Sequence, residues 1–314
     1  MRIVFFGTPE FAVESLDAIM QSRHTVAAVV TVPDRQAGRG QKVVFSPVKQ
    51  YALDHQLPIL QPEKLRDEAF LAALRTYDAD CFVVVAFRML PESVWAMPPR
   101  GTFNLHASLL PRYRGAAPIN WAIINGEQET GATTFLLNHN IDEGNILLQQ
   151  RIPIAPNETA GTLHDRLAAM GRGLVAETLD RLESGAVVPQ PQQGSPCPAP
   201  KIFKDDCRID FGRTAAEVDR FVRGLAPYPA ATMTLSNPSG AEVPFKVFAV
   251  HPHGGQKRPE NPLETDGKKV IKIATADGFV EITELQMAGK KKNNAEDFLR
   301  GNNLNGWILT GCKN

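Results

Sequence analysis

The chain has 314 residues, 43% hydrophobic and 22% charged, and its 34 basic residues balance 34 acidic ones. That length calls for two domains rather than one small core, and the composition excludes a disordered or fibrous chain. Zero net charge excludes a general polycation, so a nucleic-acid partner has to be argued from local clusters.

In chain order, Ile3 to Phe6 reads as a buried strand that stops at Gly7. This run is too short for a signal peptide and far from the about 20 apolar residues of a membrane span. Pro9 to Gln21 reads as a helix, with Phe11, Val13, Leu16, Ile19 and Met20 at helical spacing. The junction Gly7-Thr8-Pro9 is a strand-to-helix turn with proline at the first helical position. It lacks the G-x-G-x-x-G fingerprint, which argues against a nicotinamide dehydrogenase. Thr25 to Thr31 is a second strand and Pro47 to His55 a second helix. Cys81 to Ala86 has no polar break, as expected of a strand covered on both faces. Gly101 to His106 and Thr133 to Leu137 read as further strands, and Thr162 to Ser184 as a long helix. Strands alternating with helices predict an α/β, Rossmann-like parallel sheet over residues 1–186.

Residues 187–205 read as a proline-rich linker, because Val187 to Pro200 is too rich in Pro, Gln and Ser to pack as an element. One helix, Ala215 to Arg223, follows. Short apolar runs then recur with turn punctuation and predict a smaller, OB-like β-barrel domain over residues 206–314. The four cysteines, Cys81, Cys197, Cys207 and Cys312, are scattered with no C-x-x-C pair. They predict neither a zinc cluster nor a redox dithiol and fit a reducing cytoplasm. No metal is expected, since no His, Cys and Asp residues fall at ligand spacing.

Chemistry concentrates between Asn104 and Pro118. Asn104 and His106 are two apart on a strand, hence on one face, at the carboxyl end where open α/β sheets bind ligands. Asp142 follows in the turn Asn140-Ile141-Asp142-Glu143-Gly144. An amide, an imidazole and a carboxylate together suit acyl-type transfer to an amine. Asn104 would donate to the oxyanion, a contribution of about 3 kcal/mol. A protonated His106 would add a second donor, and Asp142 would stabilise that charge and take the amine proton. The segment Asp34 to Lys49 carries Arg35, Arg39, Lys42 and Lys49 against one acid, a pattern suited to following phosphates. Past the linker, Lys201 and Lys204, and later Lys290 and Lys291, form local clusters that a nucleic acid could grip.

The stretch Asn104-Leu105-His106-Ala107-Ser108-Leu109-Leu110-Pro111, then Arg114-Gly115, then Asp142, resembles the signature of the folate-dependent formyltransferase family. The resemblance implies that Asn104, His106 and Asp142 are the catalytic trio. It implies that Ser108, Leu109, Leu110 and Pro111 contact folate, and that the loop Phe87, Arg88, Met89 and Leu90 lines the pterin pocket. Phe6-Gly7-Thr8-Pro9-Glu10-Phe11, the basic segment after Pro33 and Ala288-Gly289-Lys290-Lys291 resemble the branch of that family acting on tRNA. That branch implies 10-formyltetrahydrofolate as co-substrate and initiator methionyl-tRNA as acceptor, handled by a cytoplasmic monomer with no metal and no membrane. Its tRNA contacts would be Arg35, Arg39, Lys42, Lys201, Lys204, Lys290 and Lys291, with Arg39 entering the acceptor end. The sequence departs from the family at Ala86 to Pro91, one residue shorter and without the usual glycine, and at Glu143 and Asn145 flanking Asp142. These departures predict local retuning of the site. The rival readings are a nucleotide-sugar formyltransferase, disfavoured by the basic segment, and a non-catalytic RNA-binding protein.

Overall fold

The computed structural model describes residues 1–37, 42–257 and 261–310. The chain begins β1 (Arg2–Gly7), α1 (Glu10–Met20) and β2 (Thr25–Val30), followed by the antiparallel pair β3 (Arg35–Ala37) and β4 (Lys42–Val44). Next come α2 (Pro47–Asp54), β5 (Ile59–Leu60), α3 (Glu68–Arg75), β6 (Cys81–Val85), α4 (Glu92–Trp95), β7 (Thr102–His106) and β8 (Arg112–Gly115). Then follow α5 (Pro118–Ile124), β9 (Glu129–Leu136), β10 (Ile146–Pro153), α6 (Ala160–Ser184) and β11 (Cys197–Ala199). The remainder holds α7 (Ala215–Leu225), β12 (Ala231–Ser236), β13 (Glu242–Gly254), β14 (Leu263–Thr265) and β15 (Ile271–Ala274). It ends with β16 (Gly278–Met287), β17 (Asn293–Asn294), α8 (Ala295–Gly301) and β18 (Ile308–Thr310).

Two compact units result. One comprises Met1–Pro118, Glu129–Pro153 and His164–Ala199; the other comprises Ile119–Gln128, Ile154–Leu163 and Pro200–Asn314.

The first unit is a seven-stranded sheet in the order β10-β9-β7-β6-β1-β2-β5. The five strands from β7 to β5 run parallel, as the strand-helix alternation predicts. Strands β9 and β10 are antiparallel additions, a departure from a purely parallel sheet. A parallel neighbour needs a crossover of a dozen or more residues, and the short loop after β9 can return only as an antiparallel strand. Alternation along β1 and β6 sends Val4, Phe6, Phe82 and Val84 to one face, against Phe70, Leu71 and Leu74 of α3. Ile3, Phe5 and Val83 are also fully buried on the opposite face, which explains the unbroken apolar runs. Helix starts are fixed by side-chain caps: Ser46 accepts from the Lys49 amide, and Asp67 from the Phe70 amide, each about 1 kcal/mol.

Chain order leaves β1 in one direction for β2 and β5, then returns on its other side with β6 and β7. The switch lies between β1 and β6, and ligands of such sheets bind beyond the carboxyl ends of strands at that point. Those ends are Gly7, Val85 and His106.

The second unit is an antiparallel sheet in the order β14-β15-β16-β13-β12-β18, with β17 on β16. Among the described residues no pairing joins β14 to β18, so the sheet is a near-barrel rather than a closed one. Its core gathers Phe211, Val218, Val222, Phe245, Val280, Ile282 and Phe298. Helix α7 starts at a capping box, in which Thr214 accepts from the Glu217 amide and Glu217 accepts from the Thr214 amide. Among the described residues no helix is long and apolar enough to cross a membrane.

Candidate active site

The imidazole of His106 is buried at the end of β7, with Phe135 edge-on to it at 6.5 Å between ring centres. Its Nε2 lies 2.8 Å from the Tyr113 carbonyl oxygen. A carbonyl only accepts, so Nε2 carries a hydrogen in either charge state and Nδ1 is the nitrogen free for chemistry. Nδ1 faces Asp142 Oδ2 at 3.8 Å, within ion-pair range yet too long for a hydrogen bond. The same Oδ2 accepts from the Gly115 amide at 2.9 Å. Strand β8 therefore holds both groups through its backbone, the imidazole by the carbonyl of residue 113 and the carboxylate by the amide of residue 115.

Asp142 reaches this place by an unexpected route. Because β9 is antiparallel to β7, its last residues lie at the amino end of β7, where the Leu137 amide bonds the Thr102 carbonyl. The loop 138–145 must therefore run back along β7 to bring Asp142 to His106. Asp142 holds a left-handed backbone, φ 54°, which Asp tolerates better than most residues. Gly144 permits the return, since a Cβ there would stand 1.6 Å from the Leu136 carbonyl oxygen. Gly115 has φ 124°, and a Cβ on it would meet the Ala199 carbonyl oxygen at 2.5 Å.

Asn104 sits two residues before His106 on β7, on the same face, half-buried. Among the described residues its side-chain amide has no protein partner, so its N–H groups are available to a bound group. Ser108, Leu109, Leu110 and Pro111 form the turn after β7. Thr133 on β9 donates to the Ser108 carbonyl at 2.6 Å and accepts from the Leu110 amide at 3.2 Å. Gln149 on β10 donates to the Leu110 carbonyl at 2.8 Å, and Ser108 Oγ to the Arg112 carbonyl at 2.7 Å. The turn is thus pinned from two strands.

The shortened loop after β6 is held differently. Ala86 takes φ 47° without glycine's freedom. Phe87 packs edge-on against Phe6, and Arg88 lies over Phe87 while donating to the carbonyls of Pro62 and Glu63. Leu90 is buried, whereas Met89 is 75% exposed. Ile141, next to Asp142, is 64% exposed. Apolar side chains left open in two loops beside the trio suit a flat, largely apolar ligand.

The basic positions fall apart from this network. Arg35 is exposed on β3, Lys42 lies on β4, and Arg39 lies outside the described residues. Lys49, in contrast, pairs with Asp34 at 2.5 Å and sits over the Phe45 ring, so the segment's one acid neutralises it. In the second unit Lys201 lies over Phe203, and Lys204, Lys290 and Lys291 are exposed, none in an ion pair among the described residues. Arg213, Arg223, Lys269 and Lys292 are all paired with carboxylates.

Among the described residues one group of metal-type donors converges elsewhere: His24, Asp180 and Glu183. Arg23 already pairs with both carboxylates at 2.9 Å.

Residue types and spacing did not point to Tyr113 and Gly115 as holders of His106 and Asp142. Arg114-Gly115 stood in the quoted motif, but the bonds are made by backbone groups, which no residue type announces.

Residues 1–179 match the family described as formyl transferase, and residues 201–303 match the formyl transferase C-terminal domain. A methionyl-tRNA formyltransferase of Bacteroides fragilis is 52% identical over 97% of this chain and 96% of its own length. One from Flavobacterium johnsoniae is 47% identical, covering 96% of each chain. Among solved structures, HypX from Aquifex aeolicus in complex with tetrahydrofolic acid aligns with a TM-score of 0.65 at 20% identity. That alignment covers 98% of this chain and 48% of HypX, so the chain spans about half of that protein. The sugar 3N-formyl transferase WlaRD, solved with dTDP and 5-N-formyl-THF, aligns with a TM-score of 0.64 at 21% identity, covering 93% of this chain and 99% of its own.

Proposed function

The chain belongs to the formyl transferase family, and from that premise we propose that it moves the formyl group of 10-formyltetrahydrofolate to the α-amino group of methionyl initiator tRNA. The observation that carries this reading is the clamp of strand β8, which holds His106 and Asp142 face to face with Nδ1 and Oδ2 3.8 Å apart. The near-full-length identity to methionyl-tRNA formyltransferases supports the choice of acceptor.

The residues then take the following parts. Asn104 donates an N–H to the formyl oxygen as the amine attacks and that oxygen gains charge. His106, protonated on Nδ1, donates to the same oxygen, its other nitrogen being committed to the Tyr113 carbonyl. Asp142 stabilises the imidazolium and accepts the proton lost by the amine. The bond from the formyl carbon to its folate nitrogen breaks, and that nitrogen leaves with the proton that Asp142 took from the amine. The turn Ser108 to Pro111 and the loop Phe87 to Leu90 would hold the folate, which supplies the formyl group.

Residues 1–186 carry the chemistry, residues 187–205 the link and residues 206–314 a tRNA-binding surface. Arg35, Arg39, Lys42, Lys201, Lys204, Lys290 and Lys291 contact the tRNA; the four lysines of the second unit are supported by having no carboxylate partner among the described residues. We place the reaction in the cytoplasm, in keeping with the free buried thiols of Cys81 and Cys207.

The test is formyl transfer from 10-formyltetrahydrofolate, with charged initiator tRNA and a nucleotide amino sugar offered side by side. Formylation of the tRNA alone is expected. Formylation of the sugar instead would transfer the chain to the sugar-modifying branch, and formylation of neither would defeat the reading.

A further inference from the structure

The segment between α6 and β11 reads from its composition as a spacer, yet it is fastened to the site at three places. Gln190 exchanges two backbone hydrogen bonds with Ile146, at 2.7 and 2.9 Å. Cys197 to Ala199 pair with β8, the strand that clamps His106 and Asp142. Between these anchors the half-buried side chain of Gln192 turns inward. Its Nε2 donates to the Asp142 carbonyl at 2.8 Å and to the Gly144 carbonyl at 2.9 Å. Its Oε1 accepts from Arg114 Nε at 3.1 Å and Nη2 at 2.7 Å. Arg114 stands on β8 between the two residues of the clamp, and its Nη1 bonds Glu143 Oε1 at 2.7 Å. Glu143 in turn accepts from Asn140 at 2.9 Å.

We infer that Gln192 is a positioning residue for Asp142, which ties the loop carrying the carboxylate to the strand that receives it. The loop needs such a tie. Asp142 has a left-handed backbone, a conformation that a non-glycine residue keeps only where its surroundings fix it. The Gly115 amide holds one carboxylate oxygen, but the main chain from the Asp142 carbonyl to the Gly144 carbonyl is held by Gln192. All donors and acceptors of the Gln192 amide are engaged: two carbonyls require a donor, which neither an apolar nor an anionic side chain supplies, and a guanidinium requires an acceptor, which an apolar one lacks. The Arg114 to Glu143 bond also gives a physical account of the residue next to Asp142, where the sequence departs from its family. The inference rests on Asp142 being the catalytic carboxylate.

The experiment measures steady-state formyl transfer to charged initiator tRNA by the full chain, each substrate varied in turn, with Gln192→Leu, Gln192→Glu, Asp142→Asn and the double change Asp142→Asn with Gln192→Leu. For Gln192→Leu we expect kcat to fall about tenfold, the scale of a small misplacement of a catalytic group, with KM for both substrates unchanged. Gln192→Glu is expected to match that loss when ionised. It should recover relative to wild type as pH falls, because a protonated carboxyl regains a donor; Gln192→Leu should show no such recovery. In the Asp142→Asn background, adding Gln192→Leu is expected to cost nothing more. A Gln192→Leu enzyme as fast as wild type, beside an impaired Asp142→Asn, would overturn the positioning role alone. So would a Gln192→Leu loss that persists in full on top of Asp142→Asn, since it would then act elsewhere in the fold. An Asp142→Asn enzyme with normal turnover would instead sink the catalytic reading itself.

Discussion

The clamp around His106 and Asp142 and the exposed lysines of the second unit are opposite solutions to handling charge. In the first, every charged or polar group is bonded to backbone or to a partner whose own place is fixed. His106 is tied to Tyr113, Asp142 to Gly115 and Arg114 to both Gln192 and Glu143. In the second, Lys204, Lys290 and Lys291 project into solvent without a carboxylate partner among the described residues. Stabilising a transition state demands dipoles that are already oriented before charge develops. Holding a phosphate backbone demands only positive charge within reach, and a long flexible side chain supplies it. The contrast predicts which changes will act on turnover and which on tRNA affinity.

The largest effect should come from the clamp. His106→Ala is expected to lower turnover about 100-fold or more, because one donor to the oxyanion is lost, while KM for folate and tRNA stays put. Steady-state kinetics with each substrate varied decides it. A loss confined to KM would mean that His106 binds rather than catalyses, and would erase the distinction between the two regions.

Gly144→Ala should come next, and it sharpens the claim that the loop geometry is obligatory. The added Cβ would lie 1.6 Å from a backbone oxygen, so the loop has to shift. An overpacked site of this kind costs about 1–3 kcal/mol of stability and displaces Asp142. Thermal unfolding and turnover should fall together. Unchanged values for both would show that the loop has slack that the structure does not suggest.

Lys290→Ala with Lys291→Ala probes the other side of the comparison. Raised KM for tRNA, unchanged KM for folate and unchanged kcat are expected. The dependence of log affinity on log salt should flatten by about one unit for each phosphate contact removed. An unaltered salt slope would leave these lysines as ordinary solvated charges.

How much of this was legible in the sequence follows the same division. The parallel strands announced themselves, because Cys81 to Val85 and Ile3 to Phe6 are buried on both faces and therefore carry no polar residue. The pair Asn104 and His106 was legible through the period of two along a strand. The path of Asp142 was not: the direction of β9 depends on the length of its connection and on its neighbours, and residue types at 133–137 look alike in either direction. The role of residues 187–199 was hidden for a related reason. A segment of Pro, Gln and Ser has no periodicity, yet its amides and carbonyls still pair with Ile146 and β8 when the chain passes beside them. The Ala86 to Leu90 loop followed neither rule, taking a positive φ at Ala86 where glycine would serve more easily.

The smallest effect concerns charge that serves the fold alone. Asp266 Oδ1 accepts from the amides of Lys268, Lys269 and Val270 at 2.8 to 2.9 Å. Those bonds, with Lys269 foremost, lower its carboxyl from the ordinary 3.8 to about 2. A carboxylate whose pKa is lower in the folded chain contributes stability that is fully present above the unfolded value and lost as pH falls through the folded one. Asp266→Asn keeps an acceptor but cannot titrate. Its Tm should therefore lie slightly below that of wild type from neutral pH down to about 4, and the gap should close between about 4 and about 2. A gap that stays constant across that window would mean that the turn is held by its shape and not by its charge. It would then be a feature of the second unit unlike the paired charges around it.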